Sequence, residues 1–313
     1  MRGNLNGVEP NRVETVLDCL REGRRQLQML THARKICEII LVAYATIFPY
    51  HIGKGRVINA IVRLMPSLGR GQRLARRLGI NWELRLECLI QRGVYYNCYE
   101  PWETAYLPHL VKEGMTVIDV GANIGYYSLL LGKLVGPRGI VHAFEPQVQV
   151  FEQLCRNIDL NNMGWIEPHR CALGDKVEQR QMTSLIIGNM GVQRIATDKD
   201  KGSDSIQVST LDEFVWQEKL DRIHLIKVDI EGFEYSFLRG SKRILTELKP
   251  TLLMELNADA LIAFDVSLAQ VLSLLKESGY TIYQFERKKL RKLTTLPAVG
   301  QYCNIIAMAA CGH

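Results

Sequence analysis

From about residue 114 onward, short β-branched runs alternate with apolar-patterned helical stretches, and this alternation predicts an α/β protein built on an open, mostly parallel sheet with helices on both faces. Two strand-like runs at the end of the chain, Tyr280–Phe285 and Tyr302–Met308, add a closing antiparallel pair. Composition agrees. At 313 residues, 47% hydrophobic and 23% charged, the chain can bury a large core, which excludes wholesale disorder and collagen-like or low-complexity classes.

The elements follow in order. Residues 11–50 carry apolar positions at roughly helical spacing (Val13, Val16, Leu17, Leu20, Leu27, Leu30) until Pro49 and Gly53 interrupt them. A second basic helical stretch, Arg56–Leu64, ends at Pro66, and Gly69 and Gly71 break the chain again. Arg70, Arg73, Arg76 and Arg77 cluster before Gly79, and 82–92 reads as one more helix. Thr116–Val120 is a strand, followed by a glycine-rich turn and an apolar helix through Leu134. Gly139–Phe144 is a second strand, and the helix after it contains Val150, Leu154 and Ile158. A third strand lies near 166–172. Residues 176–208 read as an inserted hairpin or irregular segment with Gly188, Gly191 and a polar loop over 197–205. Then come a strand at Ile223–Asp229, a helix from Glu231 to Leu248, a strand at Thr251–Leu256 and a helix at Leu268–Ser278. The grammar divides the chain into a basic helical region, 1–94, and an α/β domain, 95–313.

The net charge of +6 is unevenly placed. Residues 1–80 hold 14 Lys and Arg against 5 Asp and Glu, and the remainder holds 25 against 28. A basic arm on a nearly neutral body argues against a nucleic-acid binder. None of the eight cysteines forms a C-x-x-C pair, and no Cys/His cluster has zinc-ligand spacing, so reduced thiols in a cytoplasmic protein are expected. The polar, charged first 30 residues are wrong for a secretory signal. The uncharged stretch Ile39–Gly53 has 15 residues, short of the ~20 that a spanning helix needs. Apolar runs interleaved with Arg and Lys (Ile36–Phe48, Val57–Met65) suit either peripheral contact with an anionic membrane or a helical cap with a solvated basic face.

In open α/β sheets, ligands bind at the carboxyl ends of the strands. There the sequence places Asp119-Val-Gly121-Ala-Asn123-Ile-Gly125, a strand end running through small residues into a helix. Glycines allow a sharp turn and close ligand approach, and the helix start offers free N–H groups. The dinucleotide fingerprint G-x-G-x-x-G fails, because its second and third positions are Asn123 and Tyr126, and no P-loop Gly-Lys-Ser/Thr follows. An Asp ahead of this turn suits a ligand with a cationic or amino group. Glu145, directly after the second strand, can accept from both hydroxyls of a ribose. Asp175, after the third strand, could accept from an adenine amino group or simply make a Gly-Asp turn.

On these residues the chain resembles the FkbM family of S-adenosylmethionine-dependent methyltransferases. The matching segments are Glu100-Pro-Trp-Glu103-Thr, Val117 through Ser128, Phe144-Glu-Pro146, Ala172-Leu-Gly-Asp175, Thr210 through Phe214 and Lys227-Val-Asp-Ile-Glu-Gly-Phe-Glu234. The resemblance implies the Rossmann-like class I methyltransferase fold with S-adenosyl-L-methionine as cofactor. Asp119 and the turn Gly121, Asn123 and Gly125 would hold its methionine part, Glu145 the ribose, and Asp175 or its neighbours the adenine. Glu103 joins this cofactor set by its place in the first matching segment. Tyr126 or Tyr127 could add a cation–π contact to the sulfonium.

For chemistry, the resemblance implies methyl transfer to a hydroxyl of a glycan, glycolipid or natural product. Asp229 is the first candidate for base or acceptor positioning and Glu231 the second. Helix capping is an equal reading of Glu231 and Glu234. No metal is expected, although Asp229 with Glu255 or Asn257 leaves a metal-assisted variant open. His142 and His224 fall within strands and read as structural, whereas His109 and His169 stay open candidates. An N- or C-methyltransferase and a non-catalytic scaffold are the alternatives, and nothing in the sequence fixes an oligomeric state.

Overall fold

The computed structural model describes residues 10–47, 53–184, 193–197, 204–286, 289–294 and 302–309. The expected breaks at Pro49, Gly188 and Gly191 and most of the polar run 197–205 lie outside the described residues.

The chain forms two compact units. The first comprises residues up to Arg70 together with Tyr96–Cys98. Its helices are α1 (Pro10–Ile47) and α2 (Lys54–Leu64), close to the expected spans. Ile58 and Val62 of α2 turn inward, while Arg56, Val57, Arg63 and Leu64 on the other face are exposed. The Lys54 ammonium is buried and donates to the Ala45 carbonyl. The Tyr96 hydroxyl donates to the Leu68 carbonyl at 3.0 Å. On α1, Met29, Ile36, Ile39, Ile40 and Ile47 are exposed. Among the described residues no helix is long and apolar enough to cross a membrane.

The second unit comprises Gly71–Tyr95 and Tyr99–His313. It opens with an antiparallel hairpin of β1 (Gln72–Arg77) and β2 (Ile80–Arg85), then α3 (Leu89–Tyr95) and α4 (Pro101–Leu110). The helix expected over 82–92 is therefore replaced by a strand and a later, shorter helix. The reason is a period of two: Ile80, Trp82 and Leu84 are buried while Asn81, Glu83 and Arg85 face outward or lie half-buried. Arg73, Arg76 and Arg77 consequently sit on a strand of this unit rather than on the N-terminal helices.

The alternation expected from residue 114 is present. β3 (Thr116–Val120) leads to α5 (Tyr126–Val135), β4 (Ile140–Phe144) to α6 (Val148–Asp159), then β5 (Ile166–His169) and the short β6 (Ala172–Leu173). β7 (Glu178–Ser184), β8 (Gln193–Ile195) and β9 (Ser205–Ser209) form the inserted segment and pair with β6 in the order β6-β9-β7-β8. The chain continues through α7 (Leu211–Gln217), β10 (Leu225–Val228), α8 (Glu234–Arg239), α9 (Lys242–Glu247), β11 (Thr251–Asn257), α10 (Ala258–Ile262) and α11 (Leu268–Glu277). β12 (Tyr280–Glu286), β13 (Lys289–Lys292) and β14 (Tyr302–Ala309) close it.

The main sheet runs β13-β12-β14-β11-β10-β3-β4-β5. β11, β10, β3, β4 and β5 are parallel, and β14 inserts antiparallel between β11 and β12. One face of this sheet (Ile118, Phe144, Ile226, Leu252) packs on Phe214, Phe237, Leu245 and Leu275 to make the main core.

The single helix expected from Glu231 to Leu248 is two short ones. Glu231 and Gly232 adopt left-handed φ of 50° and 103°, so the helix cannot begin before Glu234. The break between α8 and α9 falls at Gly240, whose backbone presses on Gly174: a Cβ there would lie 1.8 Å from the Gly174 carbonyl oxygen.

Candidate active site

At the carboxyl ends of β3, β4, β10 and β11 lies a cleft of about 380 Å³. The β3–α5 turn forms its floor. Gly121, Asn123 and Gly125 all have positive φ (82°, 51° and 96°), which glycine adopts freely and Asn tolerates. Gly121 also tolerates no side chain for a second reason, since a Cβ there would lie 1.9 Å from the Asp229 carbonyl oxygen. This contact packs the end of β3 against the end of β10. The turn is secured by the N–H groups of Gly121 and Ala122, which both donate to the Phe144 carbonyl at 3.0 and 2.9 Å.

Two buried carboxylates border the turn, and each is held by donors. Asp119, on β3, accepts from the Ser128 hydroxyl at 2.6 Å. Burial pushes its carboxyl up to about 6, with Ser128 and Lys227 pulling the other way. Glu145 follows β4 and accepts from the N–H groups of Asn123 at 3.0 Å and Gln147 at 2.9 Å. Burial raises it to about 7 against those two bonds. Each oxygen of Glu145 thus spends one lone pair on the backbone and keeps capacity for a ligand hydroxyl.

The opposite wall is acidic and differently organised. Asp229, Glu231 and Glu255 line the cleft with Glu100 from the segment before α4. Ligand oxygens of Glu100, Asp229 and Glu255 come within 4.8 Å of one another. Burial first, then Asp229, raises Glu255 to about 9, and the same two causes raise Glu231 to about 7. The cation among them is Lys227, 3% exposed, whose Nζ lies 3.5 Å from Asp229 Oδ2 and 4.6 Å from the Tyr127 ring centre. Among the described residues it reaches no hydrogen-bond partner. Burial works to lower this ammonium, but Asp229, Glu100, Glu255 and Asp119 outweigh it and hold it above the usual lysine range. Lys227 is the register partner of Asp119 on the neighbouring parallel strand, so both side chains leave the sheet on one face.

Sequence reasoning did not assign Lys227 a role. Its signal was present: a lysine in a four-residue strand buried throughout requires carboxylates around it.

The other expected residues divide. Asp119, Gly121, Asn123, Tyr126, Glu145, Asp229 and Glu231 all line this one cleft. Gly125 lies at the start of α5, packed on Leu154 and Leu129. The Tyr126 hydroxyl bonds the Tyr99 carbonyl at 3.1 Å and the Thr104 hydroxyl at 2.9 Å, while the Tyr127 hydroxyl donates to Glu100. Asp175 and Glu103 are not among the lining residues. Asp175 accepts from the Ser236 hydroxyl at 2.9 Å and pairs with Arg239 at 3.7 Å. Glu103 accepts from the Asn304 amide at 2.9 Å, tying α4 to β14. Glu234 accepts from the N–H groups of Gly232 at 3.1 Å and Ile230 at 3.4 Å, so it braces the loop before α8. His224 accepts from the Thr116 N–H at 3.0 Å, the structural role expected of it.

The model of the methyltransferase FkbM domain matches residues 119–282, just over half of the chain. Methyltransferase 1 of Beauveria bassiana is 30% identical over 145 residues, 40% of this chain and 57% of that protein. Hexuronic acid methyltransferase AglP of Haloferax volcanii is 28% identical over 134 residues, 43% and 53% of the two chains. The chain thus spans about half the length of these curated relatives. Among solved structures, an FkbM methyltransferase from Methylobacillus flagellatus is similar at 20% identity and a TM-score of 0.38, covering 69% of this chain and 54% of that one. The sheet carries the expected class I methyltransferase fold. The chain belongs to the FkbM methyltransferase domain family, whose cofactor is S-adenosylmethionine.

Proposed function

We propose that this protein is an O-methyltransferase that uses S-adenosylmethionine to methylate a hydroxyl of a glycan, glycolipid or related natural product. The observation that carries the reading is the pairing, in one cleft, of two donor-held carboxylates at the ends of β3 and β4 with an acid cluster at the ends of β10 and β11.

The residues present fit the cofactor. The cleft has the volume of a small-molecule site. Glu145 retains lone pairs for ribose hydroxyls, and Ile124, Phe144, Leu173 and Phe233 offer apolar surface for a flat heterocycle. Asp119 and the Gly121–Gly125 turn would hold the methionine end, with Tyr126 beside them. When bound, the cofactor supplies an electrophilic methyl group on a sulfonium. Asp175 and Glu103 would support the site from outside it, by tying the segment after β6 to α8 and α4 to β14. All the lining residues except Leu89 and Ile90 fall within 95–313, which supports placing the chemistry in that domain.

Asp229 would accept the proton of the acceptor hydroxyl, or align that hydroxyl, with the Lys227 ammonium as its counter-charge. Burial and then the nearby Asp229 push the Glu255 carboxyl up, which favours a hydrogen-bond donor there over a competing base. Glu231 stands second. Aligning oxygen and methyl for in-line displacement supplies several kcal/mol by itself. Met182, Arg194 and Ile195 of the inserted hairpin also line the cleft and would shape the acceptor side. The hexuronic acid named for the archaeal relative supports a sugar acceptor, and Arg194 is the one basic residue among the described lining residues. Mass spectrometry of glycans and lipids from cells with and without the gene tests the reading. One methyl group lost from a glycan or glycolipid is expected, and identical profiles would contradict it.

Of the basic N-terminal region expected over 1–94, we assign the helices α1 and α2 to peripheral contact with an anionic membrane. The exposed Ile36, Ile39, Ile40 and Ile47 beside basic residues support it. Flotation of the protein with anionic liposomes, absent with neutral ones, is expected, and no flotation with either ends this assignment.

A further inference from the structure

The outer edge of the parallel sheet carries a second cluster of titratable side chains, which methyl transfer does not use. His142 on β4 is the register partner of Glu167 on β5, and Phe144 is the partner of His169. Side chains two apart on a strand share a face, so His142, Glu167 and His169 project together. His142 Nδ1 lies 3.2 Å from His169 Nε2 and 3.3 Å from Glu167 Oε2. One ligand atom from each residue fits within a 4.8 Å group.

Hydrogen bonding alone serves this arrangement poorly. If His142 Nδ1 carries the proton, it must share it between Glu167 and His169; if it accepts from the His169 Nε2–H instead, its lone pair faces the Glu167 carboxylate. His142 is 1% exposed, and among the described residues its Nε2 has no hydrogen-bond partner, so the ring gains little on its other side. Among the described residues Glu167 pairs with His142 alone, while the carboxylate of Glu218 acts by charge on both rings. Two imidazoles and one carboxylate whose ligand atoms converge, with no basic side chain paired to Glu167 among the described residues, suit a cation.

We propose that His142, His169 and Glu167 form a binding site for a first-row divalent metal ion, with Zn²⁺ the best match. Zinc holds imidazole nitrogen at about 2.0–2.1 Å, so tetrahedral ligand atoms sit about 3.3 Å apart, and His142 Nδ1 lies 3.2 and 3.3 Å from the other two ligand atoms. Imidazole with one carboxylate suits zinc over magnesium or calcium, which prefer all-oxygen shells. Phe144 stacks on the His169 ring at 4.7 Å, and Phe214 meets both imidazoles edge-on at 5.2 and 5.0 Å. These walls fix the rings and keep water from one side, and the half-exposed Glu167 leaves an entry from solvent. The ion would clamp the edge strand β5 to β4. The site stands independently of what the cleft binds.

The test uses the full chain, stripped with chelator and titrated with Zn²⁺ and, as a spectroscopic probe, Co²⁺. Expected are one Zn²⁺ retained per chain by elemental analysis, a rise in melting temperature on adding Zn²⁺, and tetrahedral Co²⁺ bands without thiolate charge transfer. His169→Gln and Glu167→Gln should each weaken Zn²⁺ binding roughly tenfold or more and abolish the thermal shift. Glu167 is exposed enough for its variant to fold, and unchanged binding of S-adenosylhomocysteine by that variant would confirm an intact fold. Failure of the parent chain to bind Zn²⁺, or binding by both variants equal to the parent's, would overturn the proposal.

Discussion

The two walls of the cleft hold their carboxylates in opposite ways. At the ends of β3 and β4, Asp119 and Glu145 each accept from fixed donors: the Ser128 hydroxyl, and the N–H groups of Asn123 and Gln147. At the ends of β10 and β11, Asp229 and Glu255 crowd Glu100 beside the buried Lys227, which makes no hydrogen bond among the described residues. The first wall is organised before any ligand arrives, which suits tight, selective binding. The second stores unfavourable electrostatics, of the kind found where protons are moved. Binding and chemistry are thereby separated onto neighbouring strands, and substitutions can pull them apart.

The largest effect is expected from Asp229→Asn. It should lower turnover ~10²–10⁴-fold while leaving cofactor affinity within about threefold, as read from single-turnover kinetics and calorimetry on an identified acceptor. Equal losses in both would merge the two walls into one. Next comes Gly121→Ala on the binding wall. Its added methyl meets the Asp229 carbonyl in a left-handed backbone, so a loss of about 3 kcal/mol or more is expected in urea denaturation.

The pattern of success in reading the sequence follows the range of the forces involved. The β3–α5 turn was legible because its causes are local: a β-branched run, then glycines at positions of positive φ. The sequence puts Glu231 at the start of a helix, yet Gly232 packs against the Ala260 carbonyl, where a Cβ would lie at 2.4 Å. The partner in that contact belongs to another element, so near residue 231 the sequence shows only the glycine and not its cause. β13 escaped notice because Lys289–Lys292 is an exposed edge strand with no buried face to pattern. Asp175 and Glu103 sit in the right motifs but bond Ser236 and Asn304, partners 61 and 201 residues away. The convergence of Glu100 and Glu255 on Lys227 is likewise a product of topology.

Asp119→Asn should be milder than the glycine change. It keeps the shape and the Ser128 contact but removes a charge-assisted acceptor, so cofactor affinity should fall roughly tenfold, about 1.4 kcal/mol. Normal affinity in this variant would move the amino-group contact elsewhere. The smallest effect is a pH dependence. Burial raises Glu145 to about 7 and Asp119 to about 6, so both protonate as pH falls through that range and lose acceptor capacity. Cofactor affinity should therefore decline a few-fold from pH 8 to pH 5.5, and Glu145→Gln should flatten most of that slope. An affinity that rises as pH falls would reverse the assignment.

The most direct measurement is calorimetric titration of S-adenosylhomocysteine into the full chain, its Asp229→Asn variant and its Glu145→Ala variant. One site per chain is predicted, with affinity retained in the β10 variant and severely reduced in the β4 variant. No binding by the parent chain, or binding by Glu145→Ala equal to the parent's, would contradict the division between a binding wall and a chemical wall.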